Sequence, residues 1–267
     1  MRIWGKILGF LFGFMLSKNI FGALLGAWLG HRFDQGVGLN FNNLGGSKSD
    51  TDRQAAFFYS TFSVMGYIAK ANGRVTQHEI AFAKAYMDKL GLKDELRQQA
   101  QEAFRDGKTT GFPLAERLAK LKSAVGHRHD LLLLFLEIQI QVAFADGELD
   151  SDERNALHQI ASGLGYSPKE LDKLLEMIIA GANFHQQGAG NGFANSAQQL
   201  ENAYKVLGVS DNNSASEVKK AYRKLMSQHH PDKLVAKGLP PEMMEIAKQK
   251  AQDIQAAYEL ISAQSKP

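Results

Sequence analysis

His230, Pro231 and Asp232 set an imidazole, a rigid backbone unit and a carboxylate side by side. Pro231 locks its own φ and disfavours helical geometry at the residue before it. The tripeptide is therefore a fixed bend offering two polar side chains. Just upstream, Lys219, Lys220, Arg223 and Lys224 place cations along a single short stretch. Two other strings carry metal-binding residue types. His127-Arg128-His129-Asp130 stands before the apolar run Leu131 to Phe144 and has no distant partner, so it reads as the start of a helix. Asp146, Glu148, Asp150, Asp152 and Glu153 form an acidic run, and Asp146, Glu148, Asp150 and Glu153 are its candidates for a divalent cation. The run lacks the Asp-rich loop spacing of an EF-hand, and helix capping is the reading adopted; no metal or other cofactor is assigned.

The chain has no cysteine, which excludes a disulfide framework, a Cys-ligated zinc site and a thiol nucleophile. No G-x-x-x-x-G-K-[ST] string is present, so the chain carries out no ATP chemistry of its own and is not read as an enzyme. A net charge of +3 over 267 residues is too mild to argue for nucleic acid, and none is expected as a partner.

The elements that hold these residues are all helical. Val218, Ala221, Tyr222, Leu225 and Met226 fall on one face at i, i+3, i+4, i+7 and i+8, which leaves the cations Lys219, Lys220, Arg223 and Lys224 on the remaining surface. Ser214 and Glu217 have the spacing of a capping box that starts this helix, and Pro231 ends it near His230. Ala247, Ala251, Ile254, Tyr258 and Ile261 give the buried stripe of a further long helix, so the tripeptide sits at the tip of an antiparallel pair. His229 reads as a neighbour of that loop, and Tyr204, Leu207, Tyr222, Leu225 and Tyr258 as core.

Between Arg53 and Ala182 only helical periodicity is found, as in Ile80, Ala83, Met87 and Leu90 and again in Leu157, Ile160, Ala161 and Leu164. The string from Ala71 to Glu79 parallels the one from Ala145 to Glu153. Each copy contains a Gly turn followed by a capping box, Thr76 with Glu79 and Asp150 with Glu153. This is a duplicated helix–turn–helix unit packed as one bundle.

The N-terminus differs from the rest. Ile7 to Leu29 is almost wholly apolar and spans roughly 35 Å as a helix, enough for a hydrocarbon core of about 30 Å. Gly22, Gly26 and Gly30 repeat at four-residue spacing on one face, which predicts self-association of the anchor into a homodimer. Basic residues flank both ends, Arg2 and Lys6 against His31 and Arg32, so charge alone does not orient the span.

Tyr204-Lys205-Val206-Leu207-Gly208-Val209, then Lys219 to Leu225, then His230-Pro231-Asp232-Lys233 resemble, in order and spacing, the J domain of the DnaJ family. The repeated helical unit resembles the TerB-like, tellurite-resistance domain, some of whose members bind divalent metal at acidic turns. In the first copy Asn72, Arg74, Thr76 and His78 replace the acids, so a paired metal site is not expected.

The J-domain resemblance implies a co-chaperone that binds a DnaK-type chaperone. His230, Pro231 and Asp232 would be its trigger loop, and Lys219, Lys220, Arg223 and Lys224 its docking face. Membrane-anchored proteins of this arrangement are linked to envelope-stress and capsule polysaccharide signalling. Because ATP is cytoplasmic, the resemblance also implies a single-pass inner-membrane protein whose N-terminus is periplasmic and C-terminus cytoplasmic. The rival reading is a metal-binding stress protein acting through the TerB-like domain.

The expected fold is thus all-α. It comprises a short periplasmic N-terminus (1–6), a transmembrane helix (7–30), a linker (31–52), a TerB-like bundle (53–182), a Gly/Gln/Asn linker (183–199) and a C-terminal J domain (200–267).

Overall fold

A computed structural model describes residues 48–71, 73, 77–145, 147–188 and 196–264. The transmembrane helix with Gly22, Gly26 and Gly30 lies outside the described residues, as do Asp146 and the Thr76 cap. Among the described residues there are only helices, and none is long and apolar enough to cross a membrane.

Seven helices make the central region: α1 (Lys48–Ile68), α2 (Gln77–Lys89), α3 (Asp94–Gly107), α4 (Leu114–Val125), α5 (His129–Ala143), α6 (Ser151–Leu164) and α7 (Pro168–Gly188). The C-terminal region adds α8 (Ser196–Val206), α9 (Ala215–His229), the short α10 (Pro231–Ala236), a 3-10 turn (Pro241–Met243) and α11 (Met244–Gln264). The described residues from 52 to 264 form one compact unit.

The most apolar helix, α5, runs through the middle of the central bundle and buries Leu131, Leu134, Phe135, Leu136, Ile138 and Ile140. A helix apolar on all sides must be wrapped by others. Phe135 meets Phe57 of α1 edge to face, with ring centroids 6.0 Å apart, and Phe62 of α1 meets Tyr86 of α2 at 6.3 Å. Of the predicted stripes, Ala83 and Met87 on α2, Leu90 just after it, and Leu157, Ile160, Ala161 and Leu164 on α6 are buried, while Ile80 is half-buried.

The repeat is visible in the backbone. Gly73 and Gly147 both take positive φ, 81° and 92°, and in the second copy the Asp150–Glu153 capping box is formed in both directions. Three boundaries differ from expectation. Helix α1 begins at Lys48, inside the stretch 31–52 expected as a linker, and the stretch 183–199 expected as a linker is helical at both ends, because α7 continues to Gly188 and α8 begins at Ser196. Phe184 and Met177 supply the reason: both pack on the core of the C-terminal region, so burial extends the helix past the last central residue.

In that core Val218 and Leu225 of α9 lie with Ala203 and Val206 of α8, with Leu207 just after it, and with Ile254, Ala257 and Ile261 of α11. Tyr222 stacks on Tyr258 with centroids 4.2 Å apart. Farther along, His229 of α9 and Lys250 of α11 reach one carboxylate, so α9 and α11 run antiparallel.

Candidate functional site: the basic helix and the loop that follows it

Helix α9 starts on a complete capping box. Ser214 accepts from the Glu217 N–H, and the Glu217 carboxylate accepts from the Ser214 N–H at 2.8 Å. That backbone hydrogen bond, with the Ser214 hydroxyl adding to it, holds the Glu217 carboxyl below the usual carboxylate range. With its inner face fixed by Val218 and Leu225, the helix exposes Lys219, Lys220, Arg223 and Lys224 together. None of the four is in an ion pair with a described residue, so the positive field projects outward.

The helix ends at His229, and His230 is extended, with φ −63° and ψ 123°. Pro231 then opens α10 from its first position, where the missing N–H costs no helical hydrogen bond. The tripeptide is therefore a helix-to-helix corner rather than the tip of an open loop. His230 and Pro231 are half-buried and Asp232 is exposed. Lys233 donates to the Ser227 hydroxyl at 2.9 Å, bridging the corner. The Nδ1 of His230 is buried and has no hydrogen-bond partner.

His229 corrects the sequence reading. It is not a loop neighbour: it is 1% exposed and reaches out of its own region. Its Nε2 lies 2.9 Å from Glu137 of α5, and its Nδ1 lies 2.9 Å from the Leu225 carbonyl. Both partners are acceptors, so each ring nitrogen stands where an N–H would donate. Lys250 reaches the other Glu137 oxygen at 3.5 Å. Burial pushes the Glu137 carboxyl up, but the adjoining His229 and then Lys250 outweigh it and hold the group at about 2. The signal in the sequence was Glu137 itself, a charge inside the apolar run of α5, which a folded chain must pair.

Among the other candidates, Asp150 and Glu153 are engaged in capping α6, and Glu148 is exposed. His129 and Asp130 begin α5, and Asp130 pairs with Lys237 of the C-terminal region. His127 and His129 line a cleft of about 920 Å³ together with Tyr166, Lys173 and Lys224. No group of three or more His, Asp or Glu that could hold a metal ion occurs among the described residues.

Comparison with known proteins divides the chain into the same three kinds of segment. Residues 1–48 match the family described as Co-chaperone DjlA transmembrane domain, residues 59–176 the Tellurite resistance protein TerB family, and residues 202–266 the DnaJ domain. A Co-chaperone protein DjlA of Photobacterium profundum is 53% identical over 271 residues, 97% of this chain and 98% of that protein. The protein of the same description from Vibrio cholerae is 50% identical, covering 98% of each chain. The one from Escherichia coli strain K12 is 47% identical over 99% of this chain and 98% of its own. No solved structure matches.

Proposed function

Because this chain belongs to the DjlA family of co-chaperones, we propose that it stimulates ATP hydrolysis by a DnaK-type chaperone at the cytoplasmic face of the inner membrane. Its DnaJ domain makes a DnaK-type chaperone the partner and makes the role regulatory, and its N-terminal transmembrane domain makes it membrane-anchored. One observation carries the proposal. The exposed cations Lys219, Lys220, Arg223 and Lys224 run along α9 directly into the His230-Pro231-Asp232 corner.

Lys219, Lys220, Arg223 and Lys224 steer the chain onto acidic surface of the ATP-bound chaperone, an attraction that salt weakens. His230 and Asp232 then make the contacts that favour the hydrolysis-competent arrangement, which shifts its population without any chemistry in this chain. The functional segments are the anchor 7–30, a tether 31–52, the central domain 53–182, the connection 183–199 and the J domain 200–267. The anchor leaves residues 1–6 in the periplasm, and its Gly22, Gly26 and Gly30 face joins two copies. The resemblance also supports a link to envelope-stress and capsule polysaccharide signalling.

Single-turnover ATP hydrolysis by DnaK, with the full chain in lipid nanodiscs, tests the central claim. The wild type is expected to stimulate and His230→Gln is not. Equal rates with and without the folded wild type would remove the proposal. Gly26→Leu is expected to abolish self-association in the bilayer, and an unchanged dimer would refute the glycine face.

A further inference from the structure

The cores of the two regions are not divided where the sequence divides them. Leu234, Leu239, Met243, Ile246 and Ala247, all C-terminal to the tripeptide, are buried with the central bundle. Most other apolar residues of the J domain form a second cluster, joined by Met177, Ala180 and Phe184 of α7. Polar contacts follow the same segment. His229 and Lys250 both hold Glu137, Lys237 pairs with Asp130, and Arg53 of α1 lies against Gly238 while donating to the Ala124 carbonyl. The central domain thus grips the chain from His229 to Lys250, on both sides of the corner.

Within this segment the His230 Nδ1 is buried without a hydrogen-bond partner. A chaperone cannot reach that nitrogen while the segment stays seated. The basic residues Lys219, Lys220, Arg223 and Lys224 remain open to it. Within the trigger Asp232 is exposed as well, so the residue that differs in access from the docking face is His230.

We propose that Glu137 of the central domain is the catch of an autoinhibitory latch, which holds the trigger corner seated until the chaperone, captured first by the basic helix, or a ligand of the central domain releases it. The catch is a buried carboxylate gripped by His229 and Lys250 from the two arms of the J-domain hairpin. Removing one member of such a cluster leaves the others buried and unpaired, so the catch is strongly held when complete and lost as a unit. Because only open molecules engage the chaperone fully, the apparent affinity is the intrinsic one multiplied by the open fraction.

This inference rests on the co-chaperone reading, and the test separates the two. The chain contains no cysteine, so a pair can be introduced at Asp130 and Lys237 alone. In the full chain in nanodiscs, the pair is bridged by a cleavable bis-maleimide, with a monofunctional maleimide as the control. The bridged chain is expected to stimulate DnaK about tenfold less than the same chain after cleavage, and Glu137→Gln to stimulate more than wild type at equal concentration. Equal stimulation before and after cleavage, with His230→Gln still inactive, would overturn the latch and leave the co-chaperone reading intact. If neither the cleaved chain nor the wild type stimulates, the co-chaperone reading falls and the latch falls with it.

Discussion

Gly107 of α3 lies so close to Ser63 of α1 that a Cβ on it would stand 1.7 Å from the Ser63 carbonyl oxygen. The relationship is reciprocated, since a Cβ on Gly66 of α1 would stand 2.1 Å from the Phe104 carbonyl oxygen of α3. The obstacles are backbone, not flexible side chains, so the helices must separate to admit a methyl group. Gly107→Ala and Gly66→Ala are each expected to destabilise the central domain by about 2 kcal/mol or more, as overpacked sites do. Urea denaturation followed by circular dichroism reads this; a shift near zero would mean the helices can part freely.

Acid should release Glu137. The carboxyl sits at about 2 in the folded chain against 4.5 ordinarily, so the group is depressed on folding. Its contribution to stability is then complete above about pH 4.5 and is lost as pH falls toward 2. The unfolding free energy of the wild type should therefore decline across that window. Glu137→Gln should be less stable at neutral pH and should lack that part of the decline. Parallel wild-type and variant curves would show that the carboxylate is not held as described.

The acidic turn offers a direct contest between capping and metal. The Asp150 carboxylate accepts from the N–H groups of Asp152 and Glu153, both at 2.8 Å. Asp150→Ala should lower stability by about 1 kcal/mol, the usual worth of an N-cap. That loss should be the same with excess magnesium or calcium as with a chelator. A loss that appears only in the presence of the ion would revive the metal reading.

The cations of α9 should act on the rate of encounter. Arg223→Ala is expected to slow association with DnaK about threefold at low ionic strength and hardly at all at high salt. His230→Gln should leave that rate nearly unchanged while abolishing stimulation. Surface-immobilised chaperone and stopped-flow mixing separate the two effects. An equal loss at both salt concentrations would mean that Arg223 contributes contact rather than steering.

What could be read from the chain was what depends on neighbours in sequence. The Ser214–Glu217 and Asp150–Glu153 boxes, the stripe of α11 and the break at Pro231 are all set within a few residues, and each is present in the structure. The position of His229 was not legible, because its partner Glu137 is far along the chain and belongs to a helix whose period says only that it is buried. Gln139, equally out of place in that apolar run, likewise finds its acceptor across the bundle, at the Thr61 carbonyl 3.3 Å away. Local periodicity marks both as polar residues in need of a partner; it cannot say which one, since that choice is made by helix packing. The contacts at Gly66 and Gly107 were hidden for the same reason, a small residue giving no sign of what approaches it.

The shared core also limits how portable the C-terminal module is. Grafted onto another protein, or cut free at the connection before α8, it would carry Leu234, Leu239, Met243 and Ile246 away from the bundle that covers them. It would arrive with a sticky, unclothed flank and with His229 and Lys250 deprived of their counter-charge. In this chain the two modules are fitted to each other as a matched set, and a transplant would have to rebuild that flank before it could behave as an independent cassette.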